Sequence, residues 1–276
     1  MAALDDAVAV SQTWEVPHAS AAVVTAAGRV AASAGDQHRI YRLASVPKLL
    51  SAYAALVAVE EGALALDQPA GPPGSTVAHL LAHTAGYDFA TSAVRAEPGE
   101  RRLYSNTGFE VLADLLESET GIAFDTYAHE AVFAPLGMAV TTIGDSAAAG
   151  GSSSAADLSR FAAELQAPRL LDPATLARAT GVSFPGRRGV LPGFGLQREN
   201  DWGLGLEIRG TKSPHWTGSR NSPETFGHFG QSGTFLWVDP RAGAALVALS
   251  DRPFGEWAAQ AWPPYSDGVL DALAHA

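Results

Sequence analysis

The sequence predicts an α+β protein with an antiparallel sheet built from both chain ends and packed against a mainly helical region. Three observations carry this. Short apolar runs of strand character lie early, around Ala19 to Ala34, and late, around Thr234 to Leu249. Between them run apolar segments of helical period, closed by turn residues. Alanine supplies about a fifth of the chain but is absent from Thr180 through Arg241, where Gly, Pro and aromatic residues replace it. Alanine favours helix, whereas that replacement reads as loop and strand. Strands at the two ends with helices between them come together when one sheet takes both. The reading is a single unit over 1–276, with a sheet subregion 1–44 plus 200–276 and a helical subregion 45–199.

In chain order, Leu4 to Gln12 is a short helix candidate. Ala19 to Thr25 and Val30 to Ala34 flank a turn with Gly28 and read as a hairpin. Lys48 to Glu61 is an apolar-periodic helix that Gly62 closes. Pro69, Pro72 and Pro73 make Leu66 to Thr76 a loop. Val77 to His83 is a short helix, Asn106 to Thr120 a longer one ending at Gly121, and Ala123 to Phe133 another. Ser154 is a good N-cap for Ala155 to Leu165, with Asp157 three residues on as in a reciprocal capping pair. Pro173 to Ala179 adds a turn or two. Trp202 to Ile208 reads as a strand, Thr234 to Val238 and Ala244 to Leu249 as a hairpin, and Asp267 to His275 as a closing helix. There are no internal repeats and no heptads.

Composition removes several function classes. The chain has 276 residues, no cysteine and a formal net charge of -11. A disulfide scaffold, a cysteine nucleophile and a thiolate metal site are excluded. Without a basic cluster, that charge argues against nucleic acid or a polybasic membrane anchor as partner. No apolar run is long enough to span a bilayer, and Asp5 and Asp6 stand where a signal peptide carries basic residues. A cytoplasmic location is the expectation. Only two lysines occur, Lys48 and Lys212.

Arg42-Leu43-Ala44-Ser45-Val46-Pro47-Lys48 is the informative segment. Ser45 stands where an extended stretch meets a helix whose first turn tolerates Pro47. Ser45 and Lys48 are three apart, hence on one face. A serine hydroxyl needs a base to become a nucleophile, and a lysine desolvated enough to titrate near neutrality is one. Arginine could not serve, because it does not deprotonate. Tyr104-Ser105-Asn106 opens a later helix. Tyr104 can relay a proton if a nearby cation lowers its pKa, and Asn106 can hold Lys48 or a substrate carbonyl. His228-Phe229-Gly230-Gln231 precedes an apolar strand. Gly230 can let a substrate backbone approach, the Gln231 N–H can face Ser45 as half of an oxyanion hole, and His228 can position or protonate a group in the cleft.

Two competing motifs are weaker. His79 and His83 have helical metal-ligand spacing but no Glu after the first and no third ligand. Gly230-Gln231-Ser232-Gly233-Thr234 misses the last glycine and the following helix of a nucleophile elbow. The stretch Gly186 to Ser222, with Phe194, Trp202 and Trp216, reads as a cleft-lining loop or as core aromatics with solvated turns.

In this order, Ser-x-x-Lys, Tyr-x-Asn and His-x-Gly resemble the serine β-lactamases and penicillin-binding proteins. The class C-like branch, with its D,D-peptidase and family VIII esterase relatives, is the nearest in pattern. LASVPKLLSAYAALVAVEEGALALD, TVAHLLAHTAG, PGERRLYSNTGFEVLADLLESETG, FAPLGMAVT, GGSSSAADLSRFA and FGHFGQSG extend the resemblance from about Ile40 to Gly243. It implies a β-lactamase/transpeptidase-like fold and a covalent acyl-enzyme formed on an amide, lactam or ester, with no metal or cofactor. By the same resemblance Ser45 is the nucleophile, Lys48 and Tyr104 the base pair, and the Ser45 and Gln231 N–H groups the oxyanion hole. Asn106, His228, Phe229 and Gly230 then bind substrate. His228 departs from the lysine usual in class C enzymes and, largely neutral at pH 7, binds a carboxylate less well. Phe229 replaces a common threonine and hints at an apolar acyl or alcohol group. These departures favour an ester or small amide over a β-lactam or D,D-peptide. Acyl transfer and non-catalytic ligand binding are also compatible with this scaffold.

Overall fold

The computed structural model describes residues 2–275, so the two end residues of the 1–276 unit lie outside them. Helix α1 (Ala2–Ala9) leads through a 3-10 turn into β1 (Ala19–Thr25), β2 (Val30–Ala34) and β3 (Tyr41–Arg42). Then come α2 (Pro47–Glu60), α3 (Val77–Leu81), α4 (Asn106–Thr120), α5 (Phe124–Ala128) and α6 (Ala134–Leu136), with a π-helical turn between the last two. Next are β4 (Ser152–Ser153), α7 (Ala155–Glu164), α8 (Pro173–Thr180), β5 (Gly189–Leu191) and β6 (Gly195–Gln197). The chain closes with β7 (Glu207–Ile208), β8 (Phe226–Gly230), β9 (Thr234–Asp239), β10 (Ala244–Ser250) and α9 (Glu256–Ala274).

The main sheet is antiparallel, in the order β2-β1-β10-β9-β8-β7. The chain ends meet where β1 pairs β10, with Val23 opposite Leu246. Side chains alternate across a strand, and the two faces fill different cores. Leu236, Val238, Val247 and Leu249 face the helical region. Phe235, Trp237, Leu246 and Ala248 face α1 and α9, where Trp262, Tyr265 and Val269 cover them. Each large side chain so buried contributes roughly 1.5–3 kcal/mol. Helix α2 is buried from Pro47 to Ala58 and runs through the middle of the other core. A helix apolar on all sides belongs there.

Several elements differ from expectation for identifiable reasons. Trp202 to Ile208 is strand only at Glu207–Ile208. A Cβ on Gly203 would meet the Ala179 carbonyl oxygen at 1.8 Å, and one on Gly205 (φ +85°) the Ala52 Cβ at 2.0 Å. Those glycines thread a loop against its neighbours. The last helix starts at Glu256, not Asp267, and carries Pro263 and Pro264 inside it. The prolines hide its first half in the sequence, while Ala258, Trp262 and Tyr265 hold it to the sheet. Ser154 caps α7 by accepting from the Asp157 N–H at 3.1 Å, but Asp157 does not reciprocate. Its carboxylate takes the Val140 N–H and the Thr141 hydroxyl instead. The β3–β4 pair and the β5–β6 hairpin have no clear signal in the sequence.

Candidate active site

Ser45 lies in the turn between β3 and α2, one residue after Ala44, whose φ of +50° is in the left-handed region. A non-glycine residue there is strained. The turn is fixed to the sheet from below. The Thr234 hydroxyl donates to the Leu43 carbonyl at 3.1 Å, and a Cβ on Gly230 would meet that same carbonyl oxygen at 2.0 Å. Gly230 was expected to admit a substrate backbone; the backbone it admits is that of Leu43.

Lys48, on the first turn of α2, is fully buried. Its Nζ donates to Asn106 Oδ1 at 2.6 Å and to the Ala148 carbonyl at 2.8 Å. It also lies 4.7 Å from the centre of the Tyr104 ring. Burial lowers its pKa to about 7, against an opposing pull from Glu110. A neutral amine that donates both N–H groups to two oxygens keeps its lone pair free for a third partner.

The motifs alone do not single out Glu110. On α4 it is one turn beyond Asn106, the spacing that puts two side chains on one face. Its carboxylate accepts from the Ser146 hydroxyl and from the Ala147 and Ala148 N–H groups. It thereby pins the loop that offers the Ala148 carbonyl to Lys48 and the Ala147 carbonyl to the Ser51 hydroxyl.

Tyr104 and Asn106 are placed by the start of α4. Ser105 caps that helix, its hydroxyl accepting from the Gly108 N–H and donating to the Asp88 carbonyl. The Ser105 N–H in turn donates to His83 Nδ1 at 3.2 Å. The His83 ring lies 4.6 Å from that of Tyr104. Behind them Arg102 is buried and bonds the carbonyls of Ala82, Ser183 and Phe184. Burial raises the Tyr104 pKa, and the nearby Ser45 hydroxyl only partly opposes this. The expectation that a cation lowers it is therefore corrected: Tyr104 is a neutral phenol. The base and the phenol are unequal members of the pair.

His228 and Gly230 lie on the same face of β8 as Phe226, the face whose cross-strand partners Leu236 and Val238 join the core around α2. His228 Nδ1 is 2.6 Å from the Phe229 carbonyl, so it carries the proton and leaves Nε2 as an acceptor, 3.4 Å from the Tyr104 hydroxyl. Burial, aided by the Lys48 charge, lowers the His228 pKa to about 3. Phe229 points to the other face, its ring 5.0 Å from Phe254 and 5.8 Å from Trp216. That ring packs into the aromatic core beneath α9 and also lines the cavity beside Ser45. Gln231 follows in the turn, its carbonyl held by the Phe254 N–H at 2.9 Å. Among the described residues, neither the Ser45 nor the Gln231 N–H has a hydrogen-bond acceptor.

Ser45, Tyr104, His228 and Gln231 share the lining of a cavity of about 210 Å³. Phe89, Leu191, Pro192 and Trp202 form its apolar walls. Glu207 closes it, a buried carboxylate 3.1 Å from Lys212 Nζ and bonded by His215 and Trp216. Burial alone would raise its pKa, but Lys212 and His215 hold it at about 2. His79 and His83 do not converge: the first meets Thr76 and Phe184, the second Tyr104. Among the described residues no cluster of three or more His, Cys, Asp or Glu could hold a metal ion, and no helix is long and apolar enough to cross a membrane.

The family model described as Beta-lactamase matches residues 7–269 of this chain. A crystal structure of a beta-lactamase from Mycobacterium bovis is 55% identical, with a TM-score of 0.95, and the match covers 97% of this chain and 99% of that one. A penicillin-binding protein of Bacillus subtilis (strain 168) is 28% identical over 137 residues, 38% of this chain and 30% of its own length. The match therefore spans under a third of that relative. The D-amino acid amidase from Ochrobactrum anthropi has the same fold at 20% identity, with a TM-score of 0.77 over 99% of this chain and 98% of that one.

Proposed function

The chain belongs to the beta-lactamase family, and from that premise we propose that it is a serine hydrolase that cleaves an ester or small amide through an acyl-enzyme on Ser45. The observation that carries this reading is the state of Lys48. It is a buried amine with a pKa of about 7, both N–H groups committed to neutral oxygens. Such a group takes a proton at neutral pH.

In the proposed reaction Lys48 Nζ accepts the Ser45 proton as Oγ attacks the carbonyl carbon. The new oxyanion lies against the Ser45 and Gln231 N–H groups. Its collapse breaks the bond to the alcohol or amine, which takes the Tyr104 hydroxyl proton as that phenol takes the proton held by Lys48, so that Tyr104 relays while remaining neutral. Water then attacks the acyl-enzyme, Lys48 takes its proton, and that proton passes to Ser45 Oγ as the acyl–oxygen bond breaks and the acid is released. Asn106 holds Lys48 in place throughout. A neutral His228 offers no positive charge to a carboxylate beside the scissile bond, which favours an ester or small amide over a β-lactam or a D,D-peptide. The amidase of like fold acts on an amide by its name, which fits this class.

The test is turnover of 4-nitrophenyl butyrate and of a chromogenic cephalosporin by wild type and Ser45→Ala. Ester cleavage that Ser45→Ala abolishes is the expected result. Equal turnover by both proteins refutes the assignment, and preference for the cephalosporin favours β-lactam hydrolysis instead. A second reading, acyl transfer, is favoured by the apolar walls of Phe89, Leu191 and Trp202 that limit water. Ester products formed with an added alcohol distinguish it from hydrolysis.

A further inference from the structure

Beyond Phe89, Tyr104 and Pro192, which line both spaces, the Ser45 cavity meets a larger cleft of about 570 Å³. In a chain of net charge -11, four arginines line this cleft, Arg95, Arg101, Arg102 and Arg188, and Asp88 is the one carboxylate among its lining residues. Two of these charges are already engaged. Arg95 pairs with Asp88 at 2.7 Å, and Arg102 is buried on backbone carbonyls. Arg101 and Arg188 are different. Arg101 donates to the Arg95 carbonyl alone, and its Nε is buried without a partner. Arg188 is exposed and has no side-chain hydrogen bond or ion pair among the described residues.

The rest of the cleft is apolar, and unusually open for its residue types. Phe89, Val190 and Leu196 are 52%, 57% and 70% exposed. Large apolar side chains left in water around a concavity mark a binding surface. Two guanidiniums beside them that face no carboxylate partner, Arg188 and the part-bonded Arg101, specify an occupant with an apolar body and a negative end.

We propose that this cleft is a substrate subsite for a short apolar chain ending in an anion, attached to the group that Ser45 attacks. The proposal rests on the reading of Ser45 as the acylated residue and adds the chemistry of the substrate's far end. It is compatible with a neutral His228. The negative charge is accepted away from the scissile bond, at Arg101 and Arg188, and not beside it.

The test is binding to Ser45→Ala protein, which holds an ester without being acylated. Calorimetric titration at low salt compares mono-4-nitrophenyl adipate with 4-nitrophenyl hexanoate, esters of equal chain length that differ in the terminal carboxylate. An exposed ion pair contributes up to about fivefold in affinity, so two give roughly a five- to twentyfold preference for the adipate ester. In Arg101→Glu/Arg188→Glu the ratio falls to one or below; in Arg101→Lys/Arg188→Lys the preference persists. Equal binding of the two esters, or a ratio that the glutamate pair leaves unchanged, overturns the subsite. Because no turnover is measured, this result is independent of the Ser45→Ala assay, which tests the hydrolase reading alone.

Discussion

Lys48 and Lys212 are 0% and 2% exposed, yet their surroundings are opposites. Around Lys48 Nζ stand two neutral oxygens, and the nearest influential carboxylate, Glu110, acts only through space. Around Lys212 Nζ stand the Glu207 carboxylate at 3.1 Å and the carbonyls of Asp201 and Ile208. Burial disfavours the ammonium in both places, and a contacting carboxylate offsets that only at Lys212. One lysine is left able to act as the proposed base; the other joins an ion pair with Glu207 at the back of the cavity. What matters is therefore less that a lysine is buried than whether a carboxylate is buried with it.

The largest way to break this comparison is to fix the charge at position 48. Lys48→Arg and Lys48→Ala are expected to lower kcat/KM for 4-nitrophenyl butyrate by about 10²–10⁴, the range of a lost general base. They should cost as much as Ser45→Ala, because the two residues act as a unit. Near-normal activity in Lys48→Arg would place the base elsewhere.

Next in size is the stability of the Lys212 pair. Lys212→Met leaves the Glu207 carboxylate buried beside only His215 and Trp216, a loss of about 3–5 kcal/mol in denaturant titration. Lys48→Met strands no contacting carboxylate and should cost much less. The pair also sets an acid limit. The Glu207 pKa of about 2 lies below its ordinary 4.5, so its contribution is complete above about pH 4.5 and fades as pH falls toward 2. In Lys212→Met that acid-dependent part shrinks.

The smallest effect is the most discriminating. Glu110 holds the Lys48 pKa up. The kcat/KM of wild type is expected to rise with pH about a midpoint near 7, as the Lys48 amine becomes neutral. In Glu110→Gln that limb moves to lower pH. A limb that stays in place, or moves upward, would reduce Glu110 to a loop anchor.

What can be read from sequence divides along similar lines. Ser45, Lys48, Tyr104 and Asn106 are legible as a candidate set because they stand in short local spacings, and the structure brings them together. Glu110 is open to the same logic, four residues past Asn106 on one helix, but it has the look of any polar residue on a helix surface. The Glu207–Lys212 pair is not legible, because a loop with no periodicity brings the two together. The sheet from both chain ends is legible in the placement of the apolar runs. The first half of α9 is not, because Pro263 and Pro264 mask a helix that tertiary packing maintains. The Tyr104 pKa moves opposite to expectation. The desolvation that raises it depends on packing by His83, Phe89 and Trp202, which short spacings do not reveal.

The scarcity of lysine also supplies the most direct test. Protein labelled with carbon-13 at the lysine ε position has only two labelled side chains, and a Lys212→Met spectrum assigns both signals. Followed against pH, the Lys48 signal is predicted to titrate near 7. Two ammonium signals that persist unchanged past about pH 9 would contradict the assignment of Lys48 as the base.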